Sequence, residues 1–108
     1  MTLNSQTQNI IQELKAELAE LYGSRFQGLY VYGSYARETQ RLSSDIDVAY
    51  VLDDFDQSWP EIERTGPIVS KLSLELGVTI SLVPVRESDL RGKLSLLARS
   101  VAREGIAV

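Results

Sequence analysis

Histidine and cysteine are both absent from the 108 residues. Without cysteine there are no disulfides and no thiolate metal sites, which is what a cytoplasmic protein is expected to show. The missing histidine excludes more: imidazole-held zinc, Ser-His-Asp catalysis and histidine general bases all go with it. A metal on this chain must be a hard ion held by oxygen, magnesium or manganese before zinc. There is also no apolar run near the roughly 20 residues of a membrane span, and Met1–Asn9 has neither the basic region nor the apolar block of a signal peptide. Basic charge is in short supply, 11 Lys and Arg against 15 Asp and Glu, for a net charge of −4. So acidic a chain is poorly suited to grip a nucleic-acid backbone, and neither nucleic acid nor membrane is expected as a direct partner.

What is present is an ordinary globular composition, 44% hydrophobic and 24% charged, expected to form one domain over residues 1–108. Ile10, Ile11, Leu14, Leu18, Leu21 and Tyr22 recur at three- and four-residue steps, which predicts a core-packing helix from Ser5 or Thr7 to Tyr22, stopped at Gly23. A short strand follows over Gly28–Tyr32, and a second, apolar from Val48 onward and hence central, over Asp45–Leu52. Ser58 and Glu61 have capping-box spacing at the start of a helix, with Trp59 as its anchor and an interruption expected at Gly66-Pro67. Val78–Val83 is a third strand, with Pro84 marking its exit or a sheet edge. Ser88 then caps one last helix with Leu90, Leu94, Leu97 and Val101 inside, and Ile106–Val108 adds a short strand. The order predicts an α/β (α+β) domain, a small mixed β-sheet flanked by helices.

Chemistry concentrates between Leu29 and Leu52. Gly33-Ser34 ends the first strand, where Ser34 can cap a short helix through Arg37 and offer a hydroxyl and free N–H groups to a phosphate. Asp45 and Asp47 alternate with Ile46 and Val48, so both carboxylates face one way, with Cα atoms roughly 6.5 Å apart. Two carboxylates that close repel unless a cation lies between them, and aspartate is disfavoured in strands. Taken singly, Gly33-Ser34 also reads as an ordinary turn and the Asp pair as a solvated strand start. Arg37 reads equally as a phosphate contact and as a solvated helix arginine.

Gly33-Ser34, ten intervening residues and Asp45-Ile46-Asp47 resemble the signature of the DNA polymerase β-like nucleotidyltransferase superfamily. The chain is similar in length and element order to its minimal nucleotidyltransferase (MNT) members, as are Gly-Ser-Tyr-Ala-Arg, Ser-Asp-Ile-Asp-Val and the closing Arg-Glu-Gly-Ile-Ala-Val. The resemblance implies a polymerase β palm-like fold. It also implies that Asp45 and Asp47 hold one or two Mg²⁺ ions while Gly33, Ser34, Arg37 and Ser44 bind the nucleotide. Many stand-alone MNT domains are antitoxins paired with a HEPN-domain ribonuclease toxin, in a hetero-oligomer, and transfer AMP from ATP to a toxin tyrosine. That activity is what the resemblance implies here.

The family usually supplies a third carboxylate from the neighbouring strand, and here Ser81 of Val-Thr-Ile-Ser-Leu-Val holds that position. Either the chain binds its partner without catalysis, or its acceptor needs little activation, as a phenol with pKa about 10 would. A small-molecule nucleotidyltransferase of the aminoglycoside type is a further alternative, one that needs an acceptor-binding lobe.

Overall fold

In the computed structural model, residues 5–33 and 45–108 are described. Helix α1 spans Ser5–Tyr22 and closes on a 3-10 turn, Gly23–Arg25. Gly23 has φ +59°, the left-handed conformation that ends a helix with least strain in glycine. Strand β1 (Phe26–Tyr32) pairs antiparallel with β2 (Ile46–Leu52), with a register shift between Phe26 and Gly28. Helix α2 covers Ser58–Leu76, β3 Ile80–Arg86, α3 Glu87–Gly92, α4 Leu96–Glu104 and β4 Ile106–Ala107. Strand order is β3-β2-β1-β4, with β2–β3 parallel and the other pairs antiparallel. It is the mixed sheet expected, with β2 central.

Two cores lie on the two sheet faces. Ile46, Val48, Tyr50 and Leu52 point to one side, where Leu14 and Leu18 of α1 and Leu72 of α2 complete a large apolar cluster. The opposite face holds Ala49 with Val85, Ala98 and Val101, joined by the partly buried Tyr30, Tyr32 and Val83. Inside the larger core, Tyr22 and Tyr50 stack with ring centroids 5.7 Å apart. The Tyr22 hydroxyl donates to Glu61 Oε1 at 2.9 Å and the Tyr50 hydroxyl to the Glu61 carbonyl at 3.1 Å. A buried carboxylate needs such partners, and Arg64 adds a guanidinium at 3.4 Å.

Several elements differ from expectation for local reasons. Glu61 closes no capping box, because its carboxylate is drawn inward to Tyr22; the helix starts after Gln57, which makes no side-chain cap. The expected interruption at Gly66-Pro67 does not occur and α2 is continuous. Pro67 lies on the exposed side, as does Glu63, whose carbonyl would have received the missing N–H, so water can replace that bond. Trp59 is 64% exposed and anchors nothing. Leu21 is also exposed. The single last helix is two: Lys93 adopts φ 55° between α3 and α4, and Ser95 caps α4 by accepting from the Ala98 N–H at 3.0 Å. Leu94, expected inside, is 69% exposed at that break. Strand β3 begins later than predicted and runs through Pro84 as the edge strand, the place where a sheet tolerates proline.

Candidate active site

Cross-strand register assembles one polar row at the end of the sheet where β2 begins. Asp47 pairs with Tyr32 of β1 on one side and Ser81 of β3 on the other. Paired residues on adjacent strands present their side chains to the same face, so phenol, carboxylate and hydroxyl lie side by side. That face is the one carrying Ala49 and the α4 cluster. All three residues are half-buried, while Asp45, one residue before β2, is exposed. The Ile46 N–H donates to the Thr79 carbonyl at 2.9 Å, tying the approach to β2 onto the approach to β3.

Gly33 closes over this row. Its φ is +71°, and a Cβ added there would overlap Asp47 Oδ2. Both facts require glycine: a side chain would be strained by the backbone and would occupy the space of the carboxylate. Burial raises the pKa of the Tyr32 phenol, and the negative charge of Asp47 raises it further.

The remaining expected residues divide cleanly. Gly33, Asp47 and Ser81 come together, and Asp45 stands next to them in sequence at the strand start. Ser34, Arg37 and Ser44 lie outside the described residues. Tyr32, which the sequence marks only as the last residue of the Gly28–Tyr32 strand, stands directly against Asp47. The only signal for it in the sequence was its place one residue before Gly33.

Three of the other carboxylates among the described residues are paired with arginines. Asp53 accepts from Arg25 Nε at 3.2 Å and from the Asp54 N–H at 2.7 Å, Asp89 pairs with Arg86 at 2.9 Å, and Glu87 with Arg91 at 3.4 Å. The cleft of about 540 Å³ lined by Arg25, Asp54, Phe55, Asp56, Gln57, Pro60 and Glu61 involves the loop after β2. It lies at the far end of that strand from Asp47.

The donor set suits a hard cation. The oxygens of Asp45 and Asp47 are the ligands Mg²⁺ takes, through one or two carboxylates and substrate phosphates rather than a full protein cage. With glycine at position 33, no side chain from that residue presses on the Asp47 carboxylate. Among the described residues no group of three or more acidic ligands forms.

A small mixed sheet carrying a Gly turn against an Asp-x-Asp strand defines a nucleotidyltransferase domain. Residues 5–106 match the family described as Polymerase beta, Nucleotidyltransferase, and the chain belongs to that family. Among solved structures, a toxin–antitoxin with AMP-PNP aligns at 26% identity, covering 96% of this chain and 72% of that one, TM-score 0.64. A mutant MntA–HpeT toxin–antitoxin aligns at 27% identity over 99% and 72% of the two chains, TM-score 0.61. A minimal nucleotidyltransferase aligns at 24% identity over 98% and 97%, TM-score 0.61. The MNT antitoxin complex with a tri-AMPylated HEPN toxin from Shewanella oneidensis aligns at 22% over 94% and 70%, TM-score 0.57. The last two are distant enough to speak for the fold alone. A search of curated proteins found none that matches.

Proposed function

We propose that this chain is the antitoxin of a HEPN/MNT pair, a protein adenylyltransferase that moves AMP from ATP to a tyrosine hydroxyl of its toxin. The observation that carries the chemistry is Gly33 folded onto the Asp47 carboxylate, in register with Tyr32 and Ser81. The partner is supported by similarity, at 26% and 27% identity, to toxin–antitoxin structures, one of which contains AMP-PNP.

Asp45 and Asp47 would hold Mg²⁺, which when bound neutralises the triphosphate and the departing pyrophosphate. The backbone at Gly33 admits a phosphate close to the chain, and Ser34 would donate to it. Arg37 and Ser44 are assigned to the nucleotide on the same reading. The acceptor oxygen bonds to the α-phosphorus, the bond from that phosphorus to the bridging oxygen of the β-phosphate breaks, and pyrophosphate leaves. The acceptor's proton passes to solvent. A phenol releases it far more readily than an aliphatic alcohol, which fits a site where Ser81 replaces a carboxylate. The protein is taken as a single domain acting in the cytoplasm.

A second reading has one observation in its favour. The uncharged Ser81 beside Asp47 suits an antitoxin that binds without catalysis. Incubating the protein with labelled ATP, Mg²⁺ and the product of its neighbouring gene separates the two. The first reading expects AMP mass increments on a partner tyrosine. Tight binding with no increment establishes the second.

A further inference from the structure

The two tyrosines of the larger core and the one at the site use their hydroxyls differently. Tyr22 and Tyr50 donate to Glu61, at 2.9 and 3.1 Å. Tyr32 is half-buried, yet among the described residues its hydroxyl has no hydrogen-bond partner. A phenol taken from water ordinarily finds one, because an unpaired O–H costs free energy. We infer that the Tyr32 hydroxyl is a ligand-binding group of the site and donates to a phosphate oxygen of the nucleotide. The inference rests on the nucleotidyltransferase reading of that site.

The ladder puts this group where a phosphate would come. Tyr32 pairs with Asp47 between β1 and β2, so the ring rises from the same sheet face as the carboxylate. The ring packs against the cluster of Ala49, Val85, Ala98 and Val101, apolar side chains that hold it and give its hydroxyl nothing to bond. Burial and the Asp47 charge both raise the phenol pKa, which means that the oxygen end of the ring is drawn from water and lies near the carboxylate. Gly33 follows directly in the chain, and without a side chain there a phosphate can approach the backbone. Once Asp47 is taken up by a cation, the phosphate oxygens bound with that cation become the acceptors on this face. A phenol suits them because it is a neutral donor. It neither competes for the cation as a carboxylate would nor repels it as a guanidinium would, and its bond to an anionic oxygen is of the stronger, charge-assisted kind.

The test is calorimetric titration of the full chain with AMP-PNP and Mg²⁺, beside urea denaturation of the free protein. Tyr32→Phe keeps the ring and removes only the O–H. Its affinity for AMP-PNP is expected to fall about tenfold or more, as the loss of a hydrogen bond to a charged group does. Its urea midpoint is expected to stay at or above that of the wild type, because the hydroxyl it removes has no partner in the free protein. Tyr30→Phe, the same change two residues earlier on the same face, is expected to bind AMP-PNP as the wild type does. Phosphorus-31 spectra of the bound nucleotide are expected to differ between the wild type and Tyr32→Phe at the phosphate that accepts the bond. Affinity unchanged in Tyr32→Phe, an equal loss in Tyr30→Phe, or identical phosphorus-31 spectra overturns the inference. A lowered urea midpoint in Tyr32→Phe also overturns it, by showing that the hydroxyl serves the fold. Absence of AMP-PNP binding by the wild type defeats the nucleotidyltransferase reading itself, whereas with that binding measured the Tyr32→Phe comparison tests this inference alone.

Discussion

The two faces of β2 are built from one run of seven residues and end very differently. Toward α1 and α2, Ile46, Val48, Tyr50 and Leu52 are at most 1% exposed and meet helices of 18 and 19 residues. Toward α4, a helix of nine residues, the packing uses Ala49, Ala98 and Val101, and it gives way to Asp47, which is half-buried. Nine residues span only about 13.5 Å at 1.5 Å per residue. Long helices close one face completely, and a short one with small side chains leaves the strand start free for polar groups. Stability and chemistry are thus assigned to opposite sides of the same strand.

That division makes four predictions. The largest effect belongs to Asp47→Asn, which should reduce AMP transfer to the detection limit while changing folding free energy by no more than about 1 kcal/mol. Urea denaturation beside the transfer assay checks both halves, and a large stability loss would return Asp47 to the structural side. Next, Leu18→Ala on the closed face should cost about 2–5 kcal/mol. Val101→Ala on the other face should cost about 2 kcal/mol, from the smaller apolar volume removed. Equal costs would erase the contrast.

Gly33→Ala tests the junction of the two roles. The strained φ and the overlap with Asp47 should cost about 1–3 kcal/mol and abolish AMP-PNP binding in a calorimetric titration. The smallest effect concerns the tyrosine pair of the closed face. Burial raises the phenol pKa of both Tyr22 and Tyr50 above the ordinary 10.0. The folded protein therefore keeps protons that the unfolded chain loses above about pH 10, so stability should hold below that pH and fall as pH rises beyond it. Tyr22→Phe should cost about 1 kcal/mol at neutral pH through the lost bond to Glu61. It should also make the alkaline decline, followed by thermal melts from pH 8 to 11, shallower.

The sequence was most informative where one physical signal acted alone. The period of α1 and the apolar run of β2 each report burial, and both elements form where expected. The break between α3 and α4 was hidden because Leu90, Leu94, Leu97 and Val101 keep helical spacing straight through it. Only Gly92 and the cap residue Ser95 mark it, and Leu94 is exposed at the break as a result. Pro67 misled in the opposite direction, since its cost depends on whether water reaches the orphaned carbonyl, which no local pattern reveals. Glu61 shows a third limit: capping-box spacing describes a local option, and a tyrosine 39 residues away outcompeted it. At the site, the spacing of Gly33 and Asp47 was legible. The resemblance had already put Ser81 on the strand beside the site, where β3 pairs it with Asp47; that Tyr32 flanks Asp47 on the other side depends on the β1–β2 register, which sequence distance does not encode.

Pro84 gives the sheet a further property. It sits in edge strand β3, and the opposite edge, β4, is two residues long. Exposed strand edges are templates for intermolecular pairing, and proline or a very short strand blunts them. Among the described residues, then, neither edge offers the continuous ladder that an incoming strand would need. A partner that docks on this protein must be recognised through side chains, not by lengthening the sheet. The same two features protect the isolated chain from self-association into extended β-structure.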